Sequence, residues 1–319
     1  VNVLIFAEHR TGQLRRGALE LVSAARAAAG SVTALTVGEG ADAAAAELAR
    51  WCNHVLTAAN IPAGNREAVL TALEAAREQS GAGLVLLSCN RSGQTLAPRL
   101  AVRSGAAFLE DLSSLEVAGG TTRGQRLSYL SRVTETVETD APLIVASIKP
   151  NTFPTAAEAA AAGEVTALEV EPAERDLRVQ AGETEAAAAG AVSLAEADVV
   201  VAGGRGLGSE EAFNDLVEPL AAELGAAIGS TRAVVDAGWR PFSEQVGQTG
   251  KTVAPGLYIA LGISGAVQHL SGMNRSGTIV TINRDAEAPL LKESDYAIIG
   301  DAADVVPELL AALKERSRD

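Results

Sequence analysis

Short β-rich runs alternate with longer, alanine-rich stretches whose apolar residues recur at helical spacing, and the chain writes this pattern in both halves. In the first half Asn2–Ala7 reads as a strand and Gln13–Ala29 as a helix. Val32–Val37, Ala41–Trp51 and Gly83–Ser88 continue as strand, helix and buried strand. Strand–helix alternation of this kind implies a parallel sheet with helices packed on its faces. From Leu112 the pattern changes. Leu112–Val117, Arg126–Leu130, Val133–Thr139 and Leu143–Ile148 are β-rich, with glycine turns at Gly119–Gly120 and Gly124, and are expected as hairpin strands added to that sheet. Ala156–Gly163 reads as a short helix and Val165–Val170 as a strand.

The alternation then restarts. Asp198–Ala202 is expected as a strand, Ser209–Leu224 as a helix, and Ala227–Ser230, Leu257–Gly262, Thr278–Asn283 and Tyr296–Ile299 as strands, with Val305–Arg316 as a closing helix. A length of 319 residues exceeds the size at which one core usually keeps growing. The stretch Gly182–Gly190 has linker composition, so the expected architecture is an α/β fold in two domains, residues 1–190 and 191–319.

Composition excludes some functions. A formal net charge of -14 and an aromatic content of 3% argue against a nucleic-acid surface, which needs clustered Lys and Arg and stacking rings. Cys52 and Cys89 stand at no metal-ligand spacing and read as structural thiols of a reducing compartment. The chain opens on a strand-like run, with no signal, transit or membrane-spanning pattern, so a cytoplasmic protein without membrane insertion is expected.

Doubly wound sheets hold ligands at the carboxyl ends of their strands, which directs attention to the connections in the second half. Gly203-Gly204-Arg205-Gly206-Leu207-Gly208-Ser209 lies between a strand and a helix, as a phosphate-cradling turn would. It is not a regular dinucleotide fingerprint, and a glycine turn made for tight packing reads equally well. Gln245-Val246-Gly247-Gln248-Thr249-Gly250-Lys251 offers donors and acceptors without bulk, suited to the polar edge of a planar heterocycle or simply to a polar loop. Gly262-Ile263-Ser264-Gly265-Ala266-Val267-Gln268-His269 runs from strand through small-residue turn to helix start, where backbone N–H groups favour an anion such as a pyrophosphate. A lone histidine is more often structural than ligating, but His269 stands beside that turn. Asn283 and Asp301, each following a strand, suit a ribose or adenine. These residues point to a dinucleotide site in the second domain without saying which dinucleotide.

Together with Thr231-Arg232-Ala233-Val234-Val235-Asp236-Ala237-Gly238, with Leu257–Met273 and with Asn283-Arg284-Asp285-Ala286-Glu287-Ala288-Pro289, these segments resemble the electron-transfer flavoprotein alpha-subunit family in order and spacing across residues 198–307. The first half resembles it more loosely, through Ala7-Glu8-His9 and Leu96-Ala97-Pro98-Arg99-Leu100-Ala101. The resemblance implies a nucleotide-binding-like first domain with added hairpins, acting as a scaffold that pairs with a beta subunit. It implies a doubly wound second domain carrying one FAD, with AMP in the partner subunit. By similarity Arg232 lies beside the flavin ring, with Thr231 where the family usually has serine. Thr249 faces its N5 edge and His269 its N1–O2 edge. Val246, Gly247 and Gln248 supply loop contacts, and Gln245 is counted with the cofactor-binding residues. Arg205, Ser264, Gly265 and Gln268 meet the pyrophosphate, Ala266 and Val267 belong to the same cofactor-binding turn, and Asn283 and Asp301 hold the adenosine end. Members carry single electrons from dehydrogenases such as acyl-CoA dehydrogenases to a membrane quinone oxidoreductase. Electron-bifurcating and nitrogen-fixation relatives keep this FAD and add a second in the beta subunit. A stand-alone dinucleotide-dependent oxidoreductase is the alternative of a different class, and no acid–base or nucleophile–base pair for it stands near the site. A nucleotide-binding scaffold without redox function is the third reading.

Overall fold

The computed structural model describes residues 1–28, 31–129, 132–179, 182, 194 and 197–316. The chain divides into two compact units, Val1–Thr184 and Glu185–Asp319. The expected linker Gly182–Gly190 lies, apart from Gly182, outside the described residues.

The first unit runs β1 (Asn2–Phe6), a small hairpin β2 (His9–Arg10) and β3 (Gln13–Leu14), α1 (Arg16–Ala28), β4 (Ser31–Val37), α2 (Ala41–Leu48), β5 (His54–Ala58), α3 (Arg66–Ser80), β6 (Leu84–Ser88) and α4 (Arg91–Ser104). It continues with β7 (Ala107–Ala118), β8 (Thr121–Ser128), β9 (Val133–Thr139), β10 (Ile144–Ile148) and β11 (Glu164–Ala167). Nine of these strands form one sheet in the order β11-β5-β4-β1-β6-β10-β7-β8-β9. Within this sheet, among the described residues, only the β7–β8 and β8–β9 pairings are antiparallel. The expected hairpin strands are therefore three. Leu143–Ile148 was expected among them, but its strand lies parallel between β6 and β7. All five of its positions are buried, Ser147 included, as an interior parallel strand requires. At the far edge, Arg123 pairs with Glu138 at 2.8 Å and Arg126 with Glu135 at 2.7 Å, charged cross-strand pairs that suit an exposed edge.

Ala156–Gly163 is not a helix. Tertiary bonds take its backbone instead: Trp51 Nε1 donates to Ala156 O at 3.0 Å, Arg26 donates to Ala157 O at 2.6 Å, and Ala159 N donates to Arg50 O at 2.7 Å. Alanine's helix propensity is too small to outweigh these contacts.

Helix α3 begins at a buried Asn65, whose side-chain oxygen accepts from the Glu67 and Ala68 N–H groups. Its amide also donates to Asp176 O at 2.7 Å and so pins the turn Glu174–Arg178 against the helix. Asn65→Ala removes a cap and leaves a buried carbonyl unpaired, together about 2–3 kcal/mol. Chemical denaturation of the variant should show a loss of that size, and an unchanged midpoint would remove the capping role.

The second unit runs β12 (Val199–Gly203), α5 (Glu210–Glu223), β13 (Ala227–Ser230), α6 (Arg232–Asp236), β14 (Leu257–Leu261), α7 (Val267–Leu270), β15 (Thr278–Asn283), β16 (Tyr296–Ile299) and α8 (Ala302–Arg316). Its five strands are all parallel, in the order β13-β12-β14-β15-β16. Val200, Ala202, Tyr258 and Ala260 are buried in one core layer, and Val201, Ile259 and Leu261 in the other with Phe213 and Val217 of α5. The chain runs outward in opposite directions from β12, so the crevice between β12 and β14 is the switch point of a doubly wound sheet.

Candidate functional site

Loops following β12, β13, β14 and β15 gather around one groove of about 860 Å³ in the second unit. The loops after β12 and β14 meet main chain to main chain. Gly204 N donates to Leu261 O at 2.8 Å and Gly206 N to Gly262 O at 3.1 Å. A Cβ on Gly204 would stand 2.3 Å from Gly262 O, and one on Gly206 2.5 Å. These glycines serve close packing, and the packing sets Arg205 on the groove wall.

After β13, Thr231 N donates to Gly203 O at 3.2 Å and starts α6. Thr231 Oγ1 and the neighbouring Ser230 Oγ are buried with no hydrogen-bond partner. Arg232 and Asp236 both line the groove, with Arg232 Nε 3.3 Å from Asp236 Oδ2 and both side chains more than half exposed.

Residues 245–249 build the next wall. Val246 N donates to Ser230 O at 2.9 Å, Lys251 N to Gln245 O at 2.7 Å, and Gln248 N to Gln268 O at 2.8 Å. The buried Gln245 donates its side-chain amide to Thr249 Oγ1 at 2.9 Å. Gly247 has φ +136°, and a Cβ there would lie 2.7 Å from Gln268 O.

After β14 the backbone turns through Gly262 and Gly265, with φ +61° and +88°. Ser264, Gly265, Ala266, Gln268 and His269 line the groove. His269 Nε2 lies 3.0 Å from the hydroxyl of the fully buried Tyr258, while Nδ1 is buried without a hydrogen-bond partner. Burial lowers the histidine's pKa to about 4, against a weaker opposing effect of the Val246 backbone. A base whose folded pKa lies below its unfolded value loses stability as the pH falls from the unfolded pKa toward the folded one. Acidification from about pH 6.5 to 4 should therefore destabilise the protein through this residue. Thermal melts of His269→Gln across that range should show a shallower decline, and an identical slope would contradict the assignment.

Of the residues expected from sequence, Arg205, Thr231, Arg232, Gln245, Val246, Gly247, Gln248, Thr249, Ser264, Gly265, Ala266, Gln268, His269 and Asn283 line this groove. Val267 and Asp301 are not among its lining residues. Asn283 donates one amide hydrogen to Ile263 O at 2.9 Å and accepts from Asp285 N, so part of its amide ties the loops together and one N–H remains. Asp301 caps α8 through Ala303 N and meets the groove only by way of Arg284, 3.9 Å away. Asp236, Ile263, Arg284 and Asp285 also line it and were not among the expected site residues. Their sequence signals were their places, one helical turn after Arg232 and immediately after strand ends.

Unpaired buried polar groups cost about 1–3 kcal/mol each. Thr231 Oγ1 and His269 Nδ1 belong to groove-lining residues, with Ser230 Oγ adjoining them in sequence. A flat ligand with hydrogen-bonding edges fits this donor set. Among the described residues no group of His, Cys, Asp and Glu could hold a metal, and no helix is long and apolar enough to cross a membrane.

Sheet, switch point and glycine-locked loops define a doubly wound α/β protein with a ligand groove at the carboxyl edge of its second sheet. Residues 3–173 match the electron transfer flavoprotein domain, and residues 193–274 the electron transfer flavoprotein FAD-binding domain. The chain is 36% identical to the electron transfer flavoprotein subunit alpha of Bacillus subtilis (strain 168), over 98% of each chain. It is 40% identical to the subunit alpha of Mycobacterium tuberculosis (strain ATCC 25618 / H37Rv), over 99% of each. It is 34% identical to Protein FixB of Clostridium saccharobutylicum, over 98% of this chain and 96% of that one. The chain belongs to the electron transfer flavoprotein alpha-subunit family.

Proposed function

We propose that this chain holds one FAD in the groove of its second unit and, paired with a beta subunit that carries AMP, works as a cytoplasmic electron carrier. Its donors are flavin dehydrogenases such as acyl-CoA dehydrogenases, and its acceptor is a membrane quinone oxidoreductase. The observation that carries this reading is the groove wall itself, locked by glycine contacts and holding buried, unpaired polar atoms at Thr231 and His269. FAD, when bound, supplies the one-electron chemistry that no side chain of the groove provides.

The chain's own residues then have distinct tasks. Arg232 offers a fixed positive charge toward the ring, moderated by Asp236. Thr249 accepts from Gln245, which leaves its own O–H free to donate. Arg205, Ser264, Gly265 and Gln268 are assigned to the pyrophosphate, with Ala266 and Val267 in the turn that carries them. Asn283 and Asp301 are assigned to the adenosine end, the latter through Arg284. The exposure of Arg232 and Asp236, and of Phe242 at 60%, supports a partner surface over the groove. In the first unit, Asn90 donates to the Glu8 carboxylate at the carboxyl ends of β6 and β1, putting the chain's own anion at that sheet's switch point and supporting a scaffold role.

Co-production with the beta subunit and visible spectra during stepwise reduction test the proposal. One flavin per heterodimer, reduced in single-electron steps, is the expected result, and colourless protein or direct two-electron turnover of a small substrate would overturn it. The similarity to Protein FixB supports a second reading, an alpha subunit of bifurcating or nitrogen-fixation type. Two flavins per heterodimer would select that one.

A further inference from the structure

Arg232 and residues 245–249 line the groove, whereas residues 237–244 between them are not among its lining residues. The chain thus leaves the wall and returns to it. Backbone bonds along the excursion are local: Gly238 N donates to Val235 O, Trp239 N to Val234 O, Glu244 N to Pro241 O and Gln245 N to Phe242 O. Arg240, at its middle, reaches further. Its guanidinium meets the Glu244 carboxylate as a fork, Nε to Oε2 at 2.7 Å and Nη2 to Oε1 at 3.0 Å. Nη1 donates to Asn214 Oδ1 at 3.0 Å and to Glu218 Oε1 at 2.6 Å. Cζ lies 5.4 Å from the centre of the Phe213 ring. Asn214, Glu218 and Phe213 all belong to α5, and Phe213 abuts the end of β12, where a Cβ on Gly203 would stand 2.2 Å from its ring. Some 14% of the Arg240 side chain is exposed, against 68% for Arg232, so solvent weakens these charged contacts far less. The turn held in this way runs straight into Gln245, which donates to Thr249, and Val246, which donates to Ser230 O.

We infer that Arg240 is a positioning residue, which clamps the turn before Gln245 to α5 and so fixes the groove wall of residues 245–249 relative to β12. It acts through the wall and is not itself a lining residue. The clamp requires a flat, forked cation. A lysine ammonium keeps the charge, but it cannot meet Glu244 with two parallel bonds, reach Asn214 and Glu218 and lie over the Phe213 ring at once. The clamp is a property of the chain, whereas its effect on the flavin rests on the function proposed for the groove.

Amide hydrogen exchange on the full chain without flavin provides the test, in Arg240→Lys, in Glu244→Ala and in the two combined. In each single variant the amides of Val246, Gln248 and Lys251, which bond to Ser230 O, Gln268 O and Gln245 O, should exchange about tenfold faster, the loss of a charge-assisted contact. Amides of β12 and β14 should keep their wild-type rates. The double variant should be no looser than either single one, because both changes break the same clamp. Unchanged exchange at these amides, or additive effects, would overturn the proposal. Equal loosening of β12 and β14 would also overturn it, by making Arg240 a general stabiliser. Should Arg240→Lys fail to fold, Glu244→Ala, which leaves Arg240 its partners on α5, decides alone. Loaded with FAD, Arg240→Lys should release it about tenfold faster than the wild type. Wild-type release from a loosened wall would overturn the link to the flavin. A wild-type chain that shows the clamp but takes up no FAD would instead strike the functional reading and leave the clamp standing.

Discussion

Gly265→Ala is expected to strip the flavin from the protein and to destabilise the second unit by about 2–4 kcal/mol. Two costs combine. At φ +88° an alanine is strained where glycine is not. Its Cβ would also stand 2.5 Å from Leu290 N, 2.6 Å from Leu290 Cβ and 2.8 Å from Leu290 Cα. Leu290 is fully buried, and its N–H is held by Ser264 O at 3.1 Å, so neither side yields without breaking that bond. Overpacking of this kind costs about 1–3 kcal/mol beyond backbone strain. Because Ser264 and Ala266 flank the site of the strain, the groove wall moves with it. Thermal melting and the flavin-to-protein absorbance ratio, measured together, check the expectation. A variant that melts normally and stays yellow would show the loop to be slack, contrary to its geometry.

Arg232→Ala carries the second large effect, on the electrochemistry rather than on the fold. Removal of a positive charge from the ring's surroundings disfavours the reduced, more negative flavin, so its midpoint should fall. A charge-assisted contact is worth about 1.5–3 kcal/mol when well buried. Here 68% of the side chain is exposed and Asp236 shares its charge, which places the effect at the lower end. Each 1.4 kcal/mol corresponds to about 59 mV in a one-electron couple, so a drop on the order of 60 mV is expected. Spectroelectrochemical titration measures it directly. A midpoint unmoved by the substitution would take Arg232 out of the ring's environment.

Much of the second unit was legible in the sequence because its strands are short apolar runs closed by glycine or polar turns. Ala227–Ser230, Thr278–Asn283 and Tyr296–Ile299 stand where the pattern put them. The first unit was harder. Helix α4 carries Gly93 and Pro98 inside it, residues that normally punctuate helices, and it went unread. The structure explains the glycine, since a Cβ at position 93 would fall 1.8 Å from Ser88 O. The run Ala156–Gly163 misled in the opposite direction, because alanine content says nothing of the Trp51 and Arg26 bonds that hold the segment. In the groove, the glycines and polar loops could be seen in the sequence. The bonds of Asn283 to its neighbours, the indirect place of Asp301 and the Tyr258–His269 contact could not, since each depends on distances between elements.

The backbone contact between the loops after β12 and β14 bears on how the protein is made. The groove draws on residues from Gly204 to Asp285, and no shorter stretch of chain contains all of its walls. A ribosome therefore cannot offer the cofactor a partial site, and a chain that stops or stalls early carries none. Uptake of the ligand reports that synthesis has passed Asp285 and that these walls have come together, and the ligand, by binding the folded state, holds it there.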